Sequence, residues 1–431
     1  MTNQSPCESL PAGSEDIIES LNQQILSAKE ASLSMSLLSK ADKNLALELM
    51  ERELRESINQ IIEANLKDLN CPDNADLSPA LKDRLILDSE RIMGMAAGIR
   101  KILNIEEPIG KVLDGWLHPN GMRITKLRVP LGVIGIIYEA RPNVTIDAIA
   151  LAIKSGNSVV LRGSRQAWNT NIAIMAVVTR ALKLTKVNIK GIQYLSDKSR
   201  EGCKVLLRAQ GLIDLVIPRG GETLNKFVTD NSLIPVLGAG GGVCHTYLDQ
   251  FADPQIAIAI AVNAKVSRPS VCNSCETILV HSSFADSFLQ DLVDELVDNK
   301  VKVHGDQAVK AKCPFVELAT DEDWAKEYLD LEVSIKVVED ITEAIEHINF
   351  YSTGHSEAIV TEDINNADLF KRMINSACVY VNASTRFTDG DEFGFGAEMG
   401  ISTQKMHARG PIGVRELCSY KYIIEGNGQI R

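Results

Sequence analysis

LGVIGIIYEARPNVTIDAIALAIKSGNSVVL, residues 131–161, is the stretch on which the fold turns. Residues 131–138 are a short continuous apolar run, the pattern of a strand buried on both faces of a sheet. Beyond Pro142 the apolar residues Ile146, Ile149, Ala150 and Ile153 recur at helical spacing, and Ser155-Gly156 is a stop signal. Asn143 or Thr145 is suited to cap this helix by accepting a first-turn amide. Residues 158–161 then read as a second strand. Strand, helix and strand within about thirty residues make one βαβ unit, with parallel strands and a right-handed crossover.

The alternation continues downstream. Helices are expected over 165–182 and 198–210, and strands over 192–195 and 213–218. After the glycine cluster 238–242 come a helix over 254–265, strands over 277–281 and 333–338, a helix over 341–348, and strands over 358–361 and 379–382. Two successive α/β units dividing near that cluster fit a chain of 431 residues, which exceeds what one core usually serves. Upstream, 14–93 contains no glycine and repeats Leu47, Met50, Leu54, Ile58, Ile61 and Ile62 near the helical period, so amphipathic helices are expected, broken at Cys71-Pro72-Asp73. Residues 112–129 alternate around Pro119-Asn120-Gly121, as a hairpin does.

Composition narrows the function. Apolar residues make up 45% and charged residues 24%, a globular balance. A net charge of -12 disfavours nucleic acid, whose partners present basic surfaces. The N-terminus lacks the basic and apolar regions of a leader, and no apolar run approaches the ~18 residues of a membrane span. Nine scattered cysteines, an odd number, argue for thiols in a reducing compartment, and hence for a cytoplasmic protein.

Motifs follow. The fingerprint G-x-G-x-x-G is absent; the cluster Gly238-Ala239-Gly240-Gly241-Gly242 comes nearest but ends on Val243, and serves equally as a sharp backbone crossing or a phosphate cradle. Cys272 lies in Lys265-Val266-Ser267-Arg268-Pro269-Ser270-Val271-Cys272-Asn273-Ser274-Cys275-Glu276, after a helix and near two cations. Positive surroundings lower a thiol's pKa and make it a nucleophile towards carbonyls. The competing readings are an inert buried thiol, and a zinc or redox pair with Cys275, which lacks the second pair a metal site requires. His281, His304, His347 and His355 have neither metal-site nor triad spacing, and no metal is expected. Arg219-Gly220-Gly221, following a strand, offers a backbone contact to a cofactor.

The motifs 139–145 (EARPNVT), 268–273 (RPSVCN), 380–390 (YVNASTRFTDG), 393–398 (FGFGAE) and 402–411 (STQKMHARGP) resemble those of the gamma-glutamyl phosphate reductase family of the aldehyde dehydrogenase superfamily. The resemblance runs from about residue 90 to the C-terminus. It implies an α/β, aldehyde dehydrogenase-like fold: a Rossmann-like NADP(H) domain over 1–110 and 130–240, an α/β catalytic domain over 241–410, and a small β oligomerisation extension over 111–129 and 411–431. The implied reaction is NADPH-dependent reduction of L-glutamyl 5-phosphate to L-glutamate 5-semialdehyde and phosphate, the second step of proline biosynthesis.

In that scheme Cys272 attacks the acyl phosphate, and Asn143 with the Cys272 backbone N–H holds the carbonyl oxygen. Arg141, Ser384, Arg386 and Arg409 lie in matching motifs and are candidates for the substrate's carboxylate and phosphate. Hydrolytic relatives keep a glutamate base in a Glu-Leu-Gly-Gly setting; here 236–242 read VLGAGGG, with no carboxylate. After Val160-Leu161 stand Arg162-Gly163-Ser164-Arg165, cationic and hydroxyl groups that suit the extra phosphate of NADP(H), although Arg162 also reads as a surface charge. A homo-oligomer and transient contact with glutamate 5-kinase are expected. The alternatives are a hydrolytic semialdehyde dehydrogenase and a non-catalytic scaffold for that kinase.

Overall fold

The structure, a computed structural model, describes residues 14–238 and 240–431. The N-terminal stretch read above for a leader, with Cys7, and Ala239 of the glycine cluster lie outside the described residues. The chain forms two compact units: one holds residues up to Leu237 with 395–399 and 413–431, the other 238–394 and 400–412.

In the first unit, α1 (Ser14–Ser36), α2 (Lys40–Glu56), α3 (Ile58–Leu69), α4 (Pro79–Leu85) and α5 (Ser89–Asn104) form from the glycine-poor stretch. Ser39 and Asp42 make a capping box at the start of α2, which buries Leu47, Met50 and Leu54. β1 (Val112–Leu117) and β2 (Arg123–Pro130) are the expected antiparallel hairpin, and Gly121 takes the left-handed turn conformation at φ 92°.

β3 (Val133–Tyr138), α6 (Asn143–Ser155) and β4 (Ser158–Arg162) are the βαβ unit, parallel from Val133↔Ser158 to Ile137↔Arg162 and buried along both strands. One expectation fails locally. Pro142, at φ -58° and ψ -29°, already begins the helical turn and is the N-cap of α6, so Asn143 and Thr145 lie inside the helix and cap nothing. Thr145 instead shares a hydrogen bond with the Tyr138 hydroxyl at 2.6 Å and donates to Asn171 Oδ1 at 2.9 Å.

α7 (Trp168–Leu182), β5 (Ile192–Tyr194), α8 (Arg200–Arg208), β6 (Leu215–Arg219) and α9 (Glu222–Asn231) complete a parallel sheet of order β5-β4-β3-β6. The chain builds from β3 out to β5, then returns to the far side of β3 with β6. The topological switch therefore lies between β3 and β6, and the crevice at their carboxyl ends is where such sheets take ligands.

The second unit contains β7 (Cys244–Leu248), α10 (Pro254–Val266), β8 (Cys275–His281), α11 (Ser282–Asp298), β9 (Lys302–Gly305), α12 (Gln307–Lys312) and β10 (Glu317–Leu318). It continues with β11 (Glu332–Val338), α13 (Ile341–Tyr351), β12 (Ser356–Val360), α14 (Ile364–Met373) and β13 (Cys378–Val381), and ends in the short pair β14 (Ile401–Ser402) and β15 (Gly410–Pro411). Its main sheet, β10-β9-β11-β8-β7-β12-β13, is parallel throughout. One face packs Ile278, Val280, Val333 and Ile335 against Ala261, Leu289 and Leu292. The other packs Tyr247, Leu279, Val338 and Ile359 against Ile345, Ile348 and Phe370. Burial on both faces is what fixes a parallel sheet of apolar strands.

β16 (Cys418–Glu425) belongs to the first unit and pairs antiparallel with β2, giving a three-stranded sheet β1-β2-β16. The two segments expected to form a small β extension, 111–129 and 411–431, thus supply strands of one sheet. β2 runs into β3 through Leu131 and Gly132, and Asn157 ties the ends by accepting from the Gly132 amide at 2.8 Å and donating to the Leu417 carbonyl at 2.7 Å. No helix among the described residues is long and apolar enough to cross a membrane.

Candidate active site

Cys272 is half-buried in the loop that joins α10 to β8. The Ser274 amide donates to the Val271 carbonyl at 3.0 Å and closes a turn around it. Two contacts hold the backbone of Cys272 from behind. Gly242 packs so closely that a Cβ would overlap the Cys272 carbonyl group, so no residue with a side chain fits there. The Cys244 thiol, pushed well above its usual pKa by burial, stays protonated and donates to the Cys272 carbonyl oxygen at 3.2 Å.

Of the two cations that the segment carries, one is committed elsewhere. Lys265 is buried in an ion pair with Glu276 at 2.7 Å, and also donates to the Asp330 carbonyl at 3.1 Å. Its charge is spent there. The Glu276 carboxyl is nonetheless raised to about 7, because burial outweighs Lys265. Arg386 feels the charge of Cys272: its guanidinium is held below its ordinary pKa by burial and by Arg268, while Cys272 acts in the opposite sense.

Asn273 locks Arg386 to the Cys272 loop. Its Nδ2 donates to the carbonyls of Arg386 at 3.2 Å and Thr388 at 2.9 Å, its Oδ1 accepts from the Arg386 guanidinium, and its carbonyl accepts from Thr385 Oγ1 at 2.7 Å. Ser384 is buried and accepts the Arg386 amide at 3.3 Å, so its hydroxyl shapes the loop. Arg409 is held elsewhere in this unit, donating to the Asn375 carbonyl at 2.7 Å, with its Nε buried and unpartnered.

Cys275 is the second thiol of the C-x-x-C pair. It lies buried in β8, its thiol pushed up to about 12 by burial, and the described cysteines, Cys272 included, are all thiols. No cluster of metal-ligating side chains occurs among the described residues. The stretch 236–242 has no carboxylate of its own, but the fold brings one to it: Glu327 Oε1 accepts the Gly242 amide at 2.7 Å.

In the first unit, Asn143 stands exposed on the first turn of α6 and donates from Nδ2 to Asp147 Oδ2 at 3.2 Å. The Asp147 carboxyl is raised to about 6 by burial, against the pull of Asn143 and Arg219. Arg141 lies in the turn that enters this helix, its carbonyl accepting from the Val144 amide at 3.0 Å.

The crevice between β3 and β6 lies at the carboxyl ends of the strands, where a sheet of this topology takes a ligand. α9 starts at its mouth with Gly221 as N-cap and no side-chain cap, the open arrangement that binds phosphate. The Gly221 amide meets Glu139 Oε2 at 2.9 Å, and Gly220 is crowded by the same carboxylate and by Leu224. At the end of β4, Ser164 Oγ is buried with no partner in the protein, and Arg165 is exposed beside it. These groups fit the cofactor that the fold implies. Arg162 is placed otherwise than expected: it is buried and donates to the carbonyls of Gly163 at 2.6 Å, Lys198 at 3.1 Å and Ser199 at 2.6 Å. Its guanidinium holds the ends of β4 and α8 instead of facing out towards a phosphate. Gly163 is glycine for packing, since a Cβ would lie 2.5 Å from Asn171 Nδ2 and 2.9 Å from the Tyr194 hydroxyl.

Sequence reasoning missed Gly242, Cys244, Asn273, Glu327 and Asp147. Asn273 and Gly242 stand inside segments it singled out, but the other three carry no local mark.

A model of the aldehyde dehydrogenase family matches residues 4–312. A gamma-glutamyl phosphate reductase of Caldanaerobacter subterraneus subsp. tengcongensis is 51% identical over 404 residues, spanning 94% of this chain and 98% of the relative. The crystal structure of gamma-glutamyl phosphate reductase from Thermotoga maritima superposes with a TM-score of 0.93 at 44% identity, over 95% of this chain and 99% of that one. An acetylating aldehyde dehydrogenase from Geobacillus thermoglucosidasius shares the fold alone, with a TM-score of 0.66 at 16% identity over 98% of this chain and 100% of that one.

Proposed function

This chain belongs to the aldehyde dehydrogenase family, within it to the gamma-glutamyl phosphate reductases, and from that premise we propose that it reduces L-glutamyl 5-phosphate to L-glutamate 5-semialdehyde and phosphate, with NADPH, through a thioester on Cys272. The observation that carries the reading is the setting of Cys272, a half-buried thiol with its backbone clamped by Gly242 and Cys244 and with Arg386 within reach of its charge.

The thiolate of Cys272 attacks the acyl carbon, a C–S bond forms, and phosphate departs with the electron pair of its C–O bond. Arg386 favours the thiolate and receives negative charge from the substrate; Arg141, Ser384 and Arg409 remain candidates for the rest of its polar groups. As the carbonyl oxygen becomes anionic, the Cys272 backbone N–H and the Asn143 side chain donate to it. When bound, NADPH supplies the hydride that turns the thioester into an aldehyde and returns the sulfur as thiolate. The first turn of α9, with Gly220 and Gly221, would take its pyrophosphate once Glu139 releases the Gly221 amide, and Ser164 with Arg165 its 2′-phosphate.

The edge strands β1 and β16 expose Trp116 (45%) and Ile424 (59%), an unfinished sheet that suits a second copy of the chain. We place the enzyme in the cytoplasm, in transient contact with the kinase that makes its labile substrate. A hydrolytic dehydrogenase is the second reading, and Glu327, whose carboxylate accepts the Gly242 amide, favours it.

The deciding assay runs in reverse: reduction of NADP by glutamate semialdehyde, with and without phosphate, for the wild type and Cys272→Ser. Phosphate-dependent turnover that disappears in the variant is expected. Turnover indifferent to phosphate would transfer the protein to the hydrolytic class, and none in the wild type would leave a scaffold.

A further inference from the structure

Asp147 has no task in the reading above, yet its burial opposes its charge. It stands on α6 among Thr145, Ile146, Ala148, Ile149, Ala150 and Leu151, all buried, and its carboxyl is pushed up to about 6 by burial. The groups that face it are few. Asn143 donates to Oδ2 at 3.2 Å, Arg219 at the end of β6 acts on it by charge, and Gly98 of α5 leaves it room, a Cβ there lying 3.8 Å from Oδ1. The i,i+4 spacing sets Asn143 and Asp147 on one helix face.

An ionised carboxylate accepts hydrogen bonds and cannot donate them. Beside Asn143 it forbids the flipped amide, because a carbonyl oxygen turned towards it would meet only repulsion. One N–H of the amide is then taken by Asp147, and the second is turned away from it. We infer that Asp147 is a positioning residue: by accepting one N–H of Asn143 it fixes which edge of that amide carries hydrogens, and so keeps the second N–H as a donor for the carbonyl oxygen of an acyl substrate. This rests on the reading of Asn143 as a donor to that oxygen.

A stabilising pair is a poor account of the same contact. A carboxyl whose pKa rises on folding contributes to stability only while it is protonated, and that contribution is lost as pH climbs through about 6. At neutral pH and above, ionisation of Asp147 works against the fold. Keeping an acid at this position helps the donor it orients, at the expense of stability.

The test is a double-mutant cycle of Asn143→Ala and Asp147→Ala in the phosphate-dependent assay, with Asp147→Asn as the variant that retains an acceptor oxygen. Asp147→Ala should lower kcat on the order of tenfold to hundredfold, Asp147→Asn by less, and neither should move KM for NADP more than about twofold. In the Asn143→Ala background, Asp147→Ala should change kcat by less than about twofold. At about pH 8 the thermal unfolding midpoint of Asp147→Ala should be no lower than that of the wild type, so lost activity will not reflect lost folding. Equal losses in both backgrounds, or wild-type kcat in Asp147→Ala, would overturn the inference while leaving Asn143 its role. Wild-type kcat in Asn143→Ala would remove the donor reading itself, and this inference with it.

Discussion

Gly242 fixes the path of the Cys272 backbone by steric contact. Its missing side chain lets the Cys272 carbonyl pass through the space a Cβ would fill, and the obstruction is backbone, which cannot swing aside. Gly242→Ala should therefore shift the Cys272 loop and lower kcat by roughly two orders of magnitude, the penalty typical of displacing a reacting group by about 1 Å. The unfolding midpoint should fall as well. Wild-type kcat in the phosphate-dependent assay of Gly242→Ala would mean that this contact does not position the thiol. The same residues mark the boundary of what is legible. Cys272 announces itself through its segment, but its partner cation does not: Lys265, nearest in sequence, is consumed by Glu276, and Arg386 arrives from 113 residues beyond Asn273, to which it is bonded.

Many elements were legible in the sequence, although the seventeen-residue α11 was not foreseen. β3, α6 and β4 follow the apolar runs that suggested them, and the β1–β2 hairpin follows Pro119-Asn120-Gly121. α9 was not foreseen, since a ten-residue polar helix with Gly221 as its cap carries neither a strong apolar stripe nor a conventional start signal. The three-stranded sheet has the most direct consequence at this scale. It leaves Val112, Leu117 and Ile424 exposed at 58%, 69% and 59%, and joins Trp116 to Tyr422 edge-on at 6.1 Å. If this face seats a second copy, Trp116→Glu combined with Ile424→Glu should shift the particle towards the monomer in light scattering. A mass equal to that of the wild type would locate the interface elsewhere.

For the whole molecule, binding should be readable as stability. A dinucleotide that binds only the folded chain stabilises it by about 2.7 kcal/mol at a hundredfold excess over Kd. NADPH should accordingly raise the unfolding midpoint by several degrees, and by more than NADH at equal concentration, because Ser164 and Arg165 suit the 2′-phosphate. Equal shifts from the two cofactors would remove that assignment.

Periodicity, composition and turn residues are local properties of a chain, and they were enough to specify two α/β units, a thiol segment and the absence of the usual dinucleotide fingerprint. Convergence is not local. Gly242, Cys244, Asn273 and Arg386 come together at Cys272 only because β7, β8 and the loop after β13 share one parallel sheet. The committed guanidinium of Arg162 and the raised carboxyl of Asp147 depend on what surrounds each group once water is removed. Burial and hydrogen-bond partners exist only in the folded chain, and they decide which of its many polar residues are left to do chemistry.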